Sequence, residues 1–381
     1  MRRRTLIAGL ALTPFAARAE SPGGEPEVIG VSGPLTGQYA QYGAQWQRGF
    51  DLAVEEANEN GGIDGRPLKY VFEDSQSDPR QAVAIAQKFV NDSRIMVEIG
   101  DFSSQASMAA SPIYQRGKLV QFGFTNSHPD FTKGGDYMWT NAPDQADDMP
   151  TLARFAVEKL GMKKLGVLYI NSDWGRASEK LFADAVKQRG AAIVASEGYL
   201  ATEQDFRPAL VRVREAKPDS ISLVCYYPDG AQIMRQMRQV GLDQPVLAAG
   251  SVYSPKFLEL GGDAVNGVYL DTNFFPGDPR PAVRAFEKVF RAKYGEAGLD
   301  AYVARAYDAI VLVTAALRQG GATRQGIHDG LATLHDVPSL VYGTVKFDVP
   351  TRRVREPAVT YLMVRGGNFV PWDGKPAIPA T

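Results

Sequence analysis

Cysteine is nearly absent from this 381-residue chain: Cys225 stands alone. A single thiol excludes an intramolecular disulfide framework. It closes the apolar run Ile221 to Val224, which reads as a buried strand carrying a packed, inert thiol. Histidine is scarce too, and His128, His328 and His335 show no zinc-ligand spacing with Cys225 or with one another. Catalytic signatures are also missing. The chain has no G-x-S-x-G elbow, no P-loop, no G-x-G-x-x-G after its first strand and no H-E-x-x-H. Neither an enzyme nor a bound cofactor is therefore expected. Positive charge is not in excess, with 42 lysines and arginines against 43 acids, a poor match to nucleic acid or an anionic membrane surface.

Long apolar runs are lacking as well. The one apolar stretch at the N-terminus, Leu6 to Leu12, is far shorter than the roughly 20 residues that span a bilayer. It follows Arg2-Arg3-Arg4 and precedes Ala17-Arg18-Ala19, so residues 1–19 read as a cleavable signal peptide. Arg3-Arg4-Thr5-Leu6-Ile7 suits either an ordinary secretory signal or a twin-arginine one. Removing the segment leaves 362 residues with 38 bases against 43 acids, a net charge of −5. An exported, soluble protein is expected, long enough for two or more separate cores.

What the chain does contain is alternation. Val28 to Val31, Leu68 to Glu73, Ile95 to Ile99 and Leu119 to Phe122 read as strands. Helical patterns lie between them, from about Ala44 to Asn60, Pro79 to Asn91 behind an Asp78 cap, and Ala106 to Arg116. This β-α-β-α order predicts a parallel sheet with helices on both faces. The pattern restarts near Tyr137 to Thr140 and a helix ending at Leu160. Strands follow at Leu165 to Ile170, Ala192 to Tyr199, Ser220 to Cys225, Val246 to Ala248 and Gly267 to Leu270. Helices Pro281 to Tyr294 and Tyr302 to Gln319 come next, then β-like runs at Tyr342 to Phe347 and Ala358 to Val364. The fold class is α/β, with two doubly wound units.

Open α/β sheets bind ligands beyond the carboxyl ends of their strands. There the chain places hydroxyls and aromatic rings. Gly100-Asp101-Phe102-Ser103-Ser104-Gln105 opens a helix, where Ser103, Ser104 and free backbone amides suit a carboxylate. Phe124-Thr125-Asn126-Ser127 supplies a second set of donors at the same edge. Tyr42, Trp174 and Tyr226 follow the first strand of each half and the strand ending at Cys225. Flat rings there cover the apolar body of a ligand.

These residues, in this order, resemble the periplasmic leucine/isoleucine/valine-binding protein family, the type I substrate-binding proteins of ABC importers. The resemblance rests on Ile29 to Gly37 with Tyr42-Gly43, Asn58 to Gly65, Asp74 to Asp92, Ser172-Asp173-Trp174-Gly175 and Tyr226-Tyr227-Pro228-Asp229. It implies two parallel-sheet lobes joined by a hinge of three crossovers. One lobe would span 27–141 plus 274–341 and the other 142–273 plus 342–372. It implies a carboxylate held by Ser104, Asn126 and Ser127, and a ligand covered by Tyr42, Trp174 and Tyr226. A small-molecule ligand, an ABC permease in the inner membrane, a periplasmic location and a monomeric state follow from the same resemblance. One position departs. Amino-acid binders of the family carry an acid after the strand matching Val246 to Ala248, where this chain has Ala249-Gly250-Ser251. Ser251 is counted with the site, and Asp271 or Asp101 is the candidate replacement for the acid. A buried ammonium without a countercharge is costly, so an aromatic carboxylate or an amide stands beside an amino acid as the expected ligand. A ligand-sensing receptor of the same fold is the other expectation.

Overall fold

The computed structural model describes residues 23–296, 298–355 and 358–378; the signal peptide assigned to 1–19 lies outside the described residues. The chain opens with β1 (Glu27–Gly33), α1 (Ala40–Glu59), β2 (Leu68–Asp74) and α2 (Pro79–Asn91). It continues with β3 (Ile95–Ile99), α3 (Ser104–Gly117), β4 (Val120–Gly123) and β5 (Met138–Thr140). The five strands form one parallel sheet in the order β2-β1-β3-β4-β5. Helices cover both faces, which is why β1 and β4 are almost entirely buried.

A second run follows: α4 (Gln145–Arg154), β6 (Lys164–Ile170), α5 (Asp173–Gln188), β7 (Ala192–Tyr199) and α6 (Arg207–Glu215). Then come β8 (Ser220–Val224), α7 (Tyr227–Gln239), β9 (Val246–Ala248), α8 (Pro255–Gly261) and β10 (Val268–Thr272). The chain next leaves this unit for α9 (Pro281–Tyr294), α10 (Ala301–Gly320), α11 (Arg324–Thr333), β11 (Val337–Ser339) and β12 (Gly343–Val345). It returns as β13 (Thr360–Arg365) and β14 (Asn368–Pro371), both antiparallel. The second sheet has the order β14-β13-β10-β9-β8-β6-β7. Its parallel part, β7-β6-β8-β9-β10, repeats the strand order of the first sheet.

Each sheet has its own core. Trp46, Phe50, Phe89, Phe122 and Phe124 are fully buried around the first. Phe155, Leu168, Phe182, Ile221 and Met237 are buried around the second, with the Cys225 thiol among them. Helix α10 returns to the first unit and lies close on α1. A Cβ on Gly49 would collide with the Val303 carbonyl and the Ala306 side chain. β11 and β12 pair as an antiparallel hairpin, pinned to α10 by Asp308, which accepts from Ser339 Oγ at 2.6 Å and from the Leu340 amide at 2.9 Å.

Four features differ from the sequence-based expectation. Helices α8 and α11 were not expected, and α1 begins four residues before Ala44. The last turn of α4 widens into π geometry over Phe155–Lys159. Tyr342 to Phe347, placed by the resemblance with the second unit, does not join its sheet. β12 pairs with β11 instead, and the Phe347 ring packs edge-on against Phe122 and Trp139 of the first unit. The run is amphipathic and short, and the apolar face of the first unit claims it.

Candidate functional site

In the strand order 2-1-3-4-5, ligands bind where the connections from strands 1 and 3 diverge. Both sheets have that order, so the chain has two such crevices, and they face each other. Loops from β3 and β4 form one wall of a cavity between the two sheets; loops from β6, β8, β9 and β10 form the other. The cavity measures about 80 Å³, room for a compact solute and not for a polymer.

The first wall is built from hydroxyls. Ser104 opens α3 and is buried, its Oγ accepting from the His128 amide at 3.4 Å. Ser127 follows β4, and its Oγ accepts from Trp174 Nε1 at 3.1 Å across the cavity. Both hydroxyls accept a bond from the protein and keep their own O–H to donate. Thr125 lies between them, its Oγ1 donating to the Phe102 carbonyl at 3.1 Å. The amides at the start of α3 add the positive end of a helix.

The second wall is aromatic and acidic. Ser172 caps α5 by accepting from the Gly175 amide at 3.1 Å, which fixes Trp174 in the first turn. Tyr226 caps α7 by position, and its ring stacks on Trp174 with centroids 5.0 Å apart and planes 17° from parallel. Ser251 lines the cavity after β9 and donates to the Cys225 carbonyl at 2.6 Å.

Of the eight sequence-predicted residues, Ser104, Ser127, Trp174, Tyr226 and Ser251 line the cavity. The side chains of Tyr42, Ser103 and Asn126 do not. Ser103 is spent on capping α3, its Oγ accepting from the Ala106 amide at 3.2 Å. Asn126 is fully buried and ties the two loops together, donating to the Gly100 carbonyl at 3.0 Å and to Ser107 Oγ. Tyr42 stands behind the wall, stacked on Phe102 at 4.1 Å. Its hydroxyl donates to the Ser251 carbonyl at 2.6 Å and accepts from the Tyr227 amide at 3.2 Å. It joins the two units where ligand contact was expected. Asp101 is likewise behind the wall. Burial pushes its carboxyl up to about 6, while Ser77 Oγ donates to it from 3.2 Å.

Charged and polar residues missed as lining include Asp148 and Gln145 from α4, Asn273 after β10, and Arg305 from α10. Asp271, one of the two candidate replacements for the missing acid, does line the cavity. Burial raises its carboxyl to about 6. Asp148, half-buried, is raised well above the ordinary range, first by burial and then by its neighbour Asp271. Arg305 donates from Nε and an Nη to Asn273 Oδ1 at 3.1 and 2.9 Å and lies 5.6 Å over the Tyr302 ring. A signal was available for Asp271, which ends a β-run beside Ala249. None marked Asp148 or Arg305, whose helices reach the cavity only through tertiary packing.

Comparison with known proteins agrees with this arrangement. A sequence model described as periplasmic binding protein matches residues 27–368. The Leu/Ile/Val-binding protein of Escherichia coli K12 is 29% identical over 317 residues, covering 83% of this chain and 85% of that protein. The crystal structure of a leucine binding protein from Thermotoga maritima superposes with a TM-score of 0.85 at 25% identity, covering 91% of this chain and 97% of that one. A branched-chain amino acid substrate-binding protein from Streptococcus pneumoniae, solved with isoleucine, gives 0.84 at 26% identity, covering 91% and 98%.

Proposed function

Because the chain belongs to the leucine/isoleucine/valine-binding family of periplasmic binding proteins and has its type I fold, we propose that it captures a small carboxylate-bearing solute between two lobes. The solute is then delivered to an ABC permease in the inner membrane. The lobes on this reading are 27–141 with 274–355, and 142–273 with 358–372. The protein works in the periplasm as a monomer and releases its ligand unaltered.

One observation carries the reading: donors from the first sheet and rings from the second converge on a single cavity. Ser104, Ser127 and the α3 amides take the carboxylate, and Trp174 and Tyr226 cover the rest. Among the described residues, no helix is long and apolar enough to cross a membrane. The near-parallel Trp174 and Tyr226 rings also favour a second reading, an aromatic carboxylate lying against them.

The test is titration calorimetry after a thermal-shift screen of amino acids, aromatic acids, dicarboxylates and amides. For the ligand found, Ser104→Ala and Ser127→Ala are each expected to weaken binding about tenfold, the loss of a hydrogen bond to a charged group. Melting temperatures should stay close to that of the parent protein. Unchanged affinity in both variants would remove these serines from the site.

A further inference from the structure

Behind the hydroxyl wall, Glu98 of β3 and Asp101 are buried together, 0% and 1% exposed, and neither lines the cavity. Ser32 of β1 stands between them, its Oγ donating to Glu98 Oε1 at 2.7 Å and acting also on Asp101. The turn after β2 brings Ser75 and Ser77 to Asp101, with Ser77 Oγ 3.2 Å from its Oδ1. Tyr114 of α3 is the titratable neighbour; its hydroxyl is fully buried near both acids and has no hydrogen-bond partner. Glu98 Oε2 and Asp101 Oδ2 are also buried and unpartnered. Among the described residues, neither acid forms an ion pair within 4.0 Å. Two carboxylates this close and this dry cannot both stay ionised without a countercharge, so the pair retains a proton that exposed acids release. Burial lifts the Glu98 carboxyl well above its ordinary range, the Ser32 hydroxyl opposes this, and Asp101 adds to it.

The pair is tied to the ligand loop through the backbone. The Phe102 amide donates to Asp101 Oδ1 at 2.5 Å, and the Asp101 amide donates at 2.9 Å to Ser107 Oγ in the first turn of α3. A Cβ on Gly100 would collide with the Ser32 carbonyl and with Glu98 Oε1, so the loop rests directly on the pair. Phe102, Ser104 and Thr125 of the same corner line the cavity. A negative charge at Asp101 therefore sits beside the α3 amides and opposes an anion held on their other side. A proton on the pair removes that opposition.

Resting on the proposed carboxylate site, we infer that Glu98 and Asp101 form a proton-operated regulator of it, the site holding a carboxylate more tightly when the pair is protonated. Anion and proton bind together, so affinity rises as pH falls.

The probes are the neutral proteinogenic amino acids and benzoic acids, whose carboxylates stay ionised between about pH 5.5 and about pH 8. Calorimetry with the tightest of them is run across that range on the purified, processed protein. The parent is expected to bind about tenfold more tightly at the acid end. It should take up protons on binding, seen as a heat that changes with the ionisation enthalpy of the buffer. Asp148 and Asp271 in the cavity wall respond to pH as well, so the variants decide. Asp101→Asn, nearly isosteric and behind the wall, is expected to cut the ratio to about threefold or less. Glu98→Gln removes one negative neighbour and should move the rise in affinity to lower pH. Should Asp101→Asn fail to fold by circular dichroism, the shift in Glu98→Gln and the parent's own profile decide. Equal affinity at both ends of the range in the parent overturns the inference. So does the full ratio in a folded Asp101→Asn, or an unmoved rise in Glu98→Gln. These results leave the carboxylate reading standing, whereas binding of no carboxylate at any pH overturns the proposed function and this inference with it.

Discussion

Asp229 shows at the scale of one residue how the second unit trades solvation for packing. It sits in the first turn of α7, buried, with Tyr199 Oη donating to its Oδ2 at 3.2 Å. Burial lifts its carboxyl to about 7, against about 4 for an exposed aspartate. The folded protein therefore keeps a proton that the unfolded chain has already released. Stability contributed by this proton is present below about pH 4 and is lost as pH rises toward 7. In Asp229→Asn the fall in unfolding free energy between about pH 5 and pH 8 should shrink by about 1 kcal/mol or more, read from urea titrations across that range. An unaltered pH profile would show that Asp229 does not titrate in this window. The same kind of reasoning explains why the cavity acids were hard to see in the sequence. Asp148 lies in Gln145-Ala146-Asp147-Asp148, which reads as an ordinary acidic first turn of a helix. Only the fold turns one of those acids inward.

Elements were legible where punctuation was strong. The bounds of α2 match expectation at both ends because Asp78-Pro79 marks its start, with Asp78 accepting from the Arg80 and Gln81 amides. Helix α11 was not legible, because Gly326 and Gly330 lie in its interior and weaken the helical pattern. The structure supplies their reason. A Cβ on Gly330 would collide with the Ala316 carbonyl of α10, and one on Gly326 with the carbonyls of Gly320 and Gly321. The helix is kept by what it docks to and not by its own propensity. Its first residue, Arg324, donates to four carbonyls: Phe89, Val90, Asp92 and Ile95, at 2.7 to 3.1 Å. It thereby satisfies the end of α2 and the start of β3 together. Arg324→Met is expected to cost about 2 kcal/mol of stability, since partly buried carbonyls lose their donors. Chemical denaturation measures this, and a loss within about 0.5 kcal/mol of zero would show water replacing the guanidinium freely.

At the scale of the whole molecule, the repeated strand order was foreseeable from alternation alone, and the facing of the two crevices was not. That depends on three chain crossings and on contacts between units far apart in sequence. Tyr42 is foremost among these, a hydroxyl of the first unit bonded to Ser251 and Tyr227 of the second. Tyr227 Oη returns the contact, donating to the Gln38 carbonyl at 2.8 Å. On the proposed two-lobe reading, closure is a population, and bonds between the lobes bias it. Tyr42→Phe keeps the ring stack and deletes the bonds, so the ligand-free protein should expand in small-angle scattering and the ligand should bind about fivefold more weakly. Identical scattering curves and equal affinity would deny Tyr42 that part. The Trp174 indole has a different consequence. Of the four tryptophans, Trp46 and Trp139 are sealed in the first core, and Trp372, just after β14, packs edge-on against Phe155 of the second unit. Trp174 alone lines the cavity, bonded to Ser127 and stacked on Tyr226. Emission from this indole is expected to change as the cavity fills, an optical gauge of occupancy that needs no attached dye.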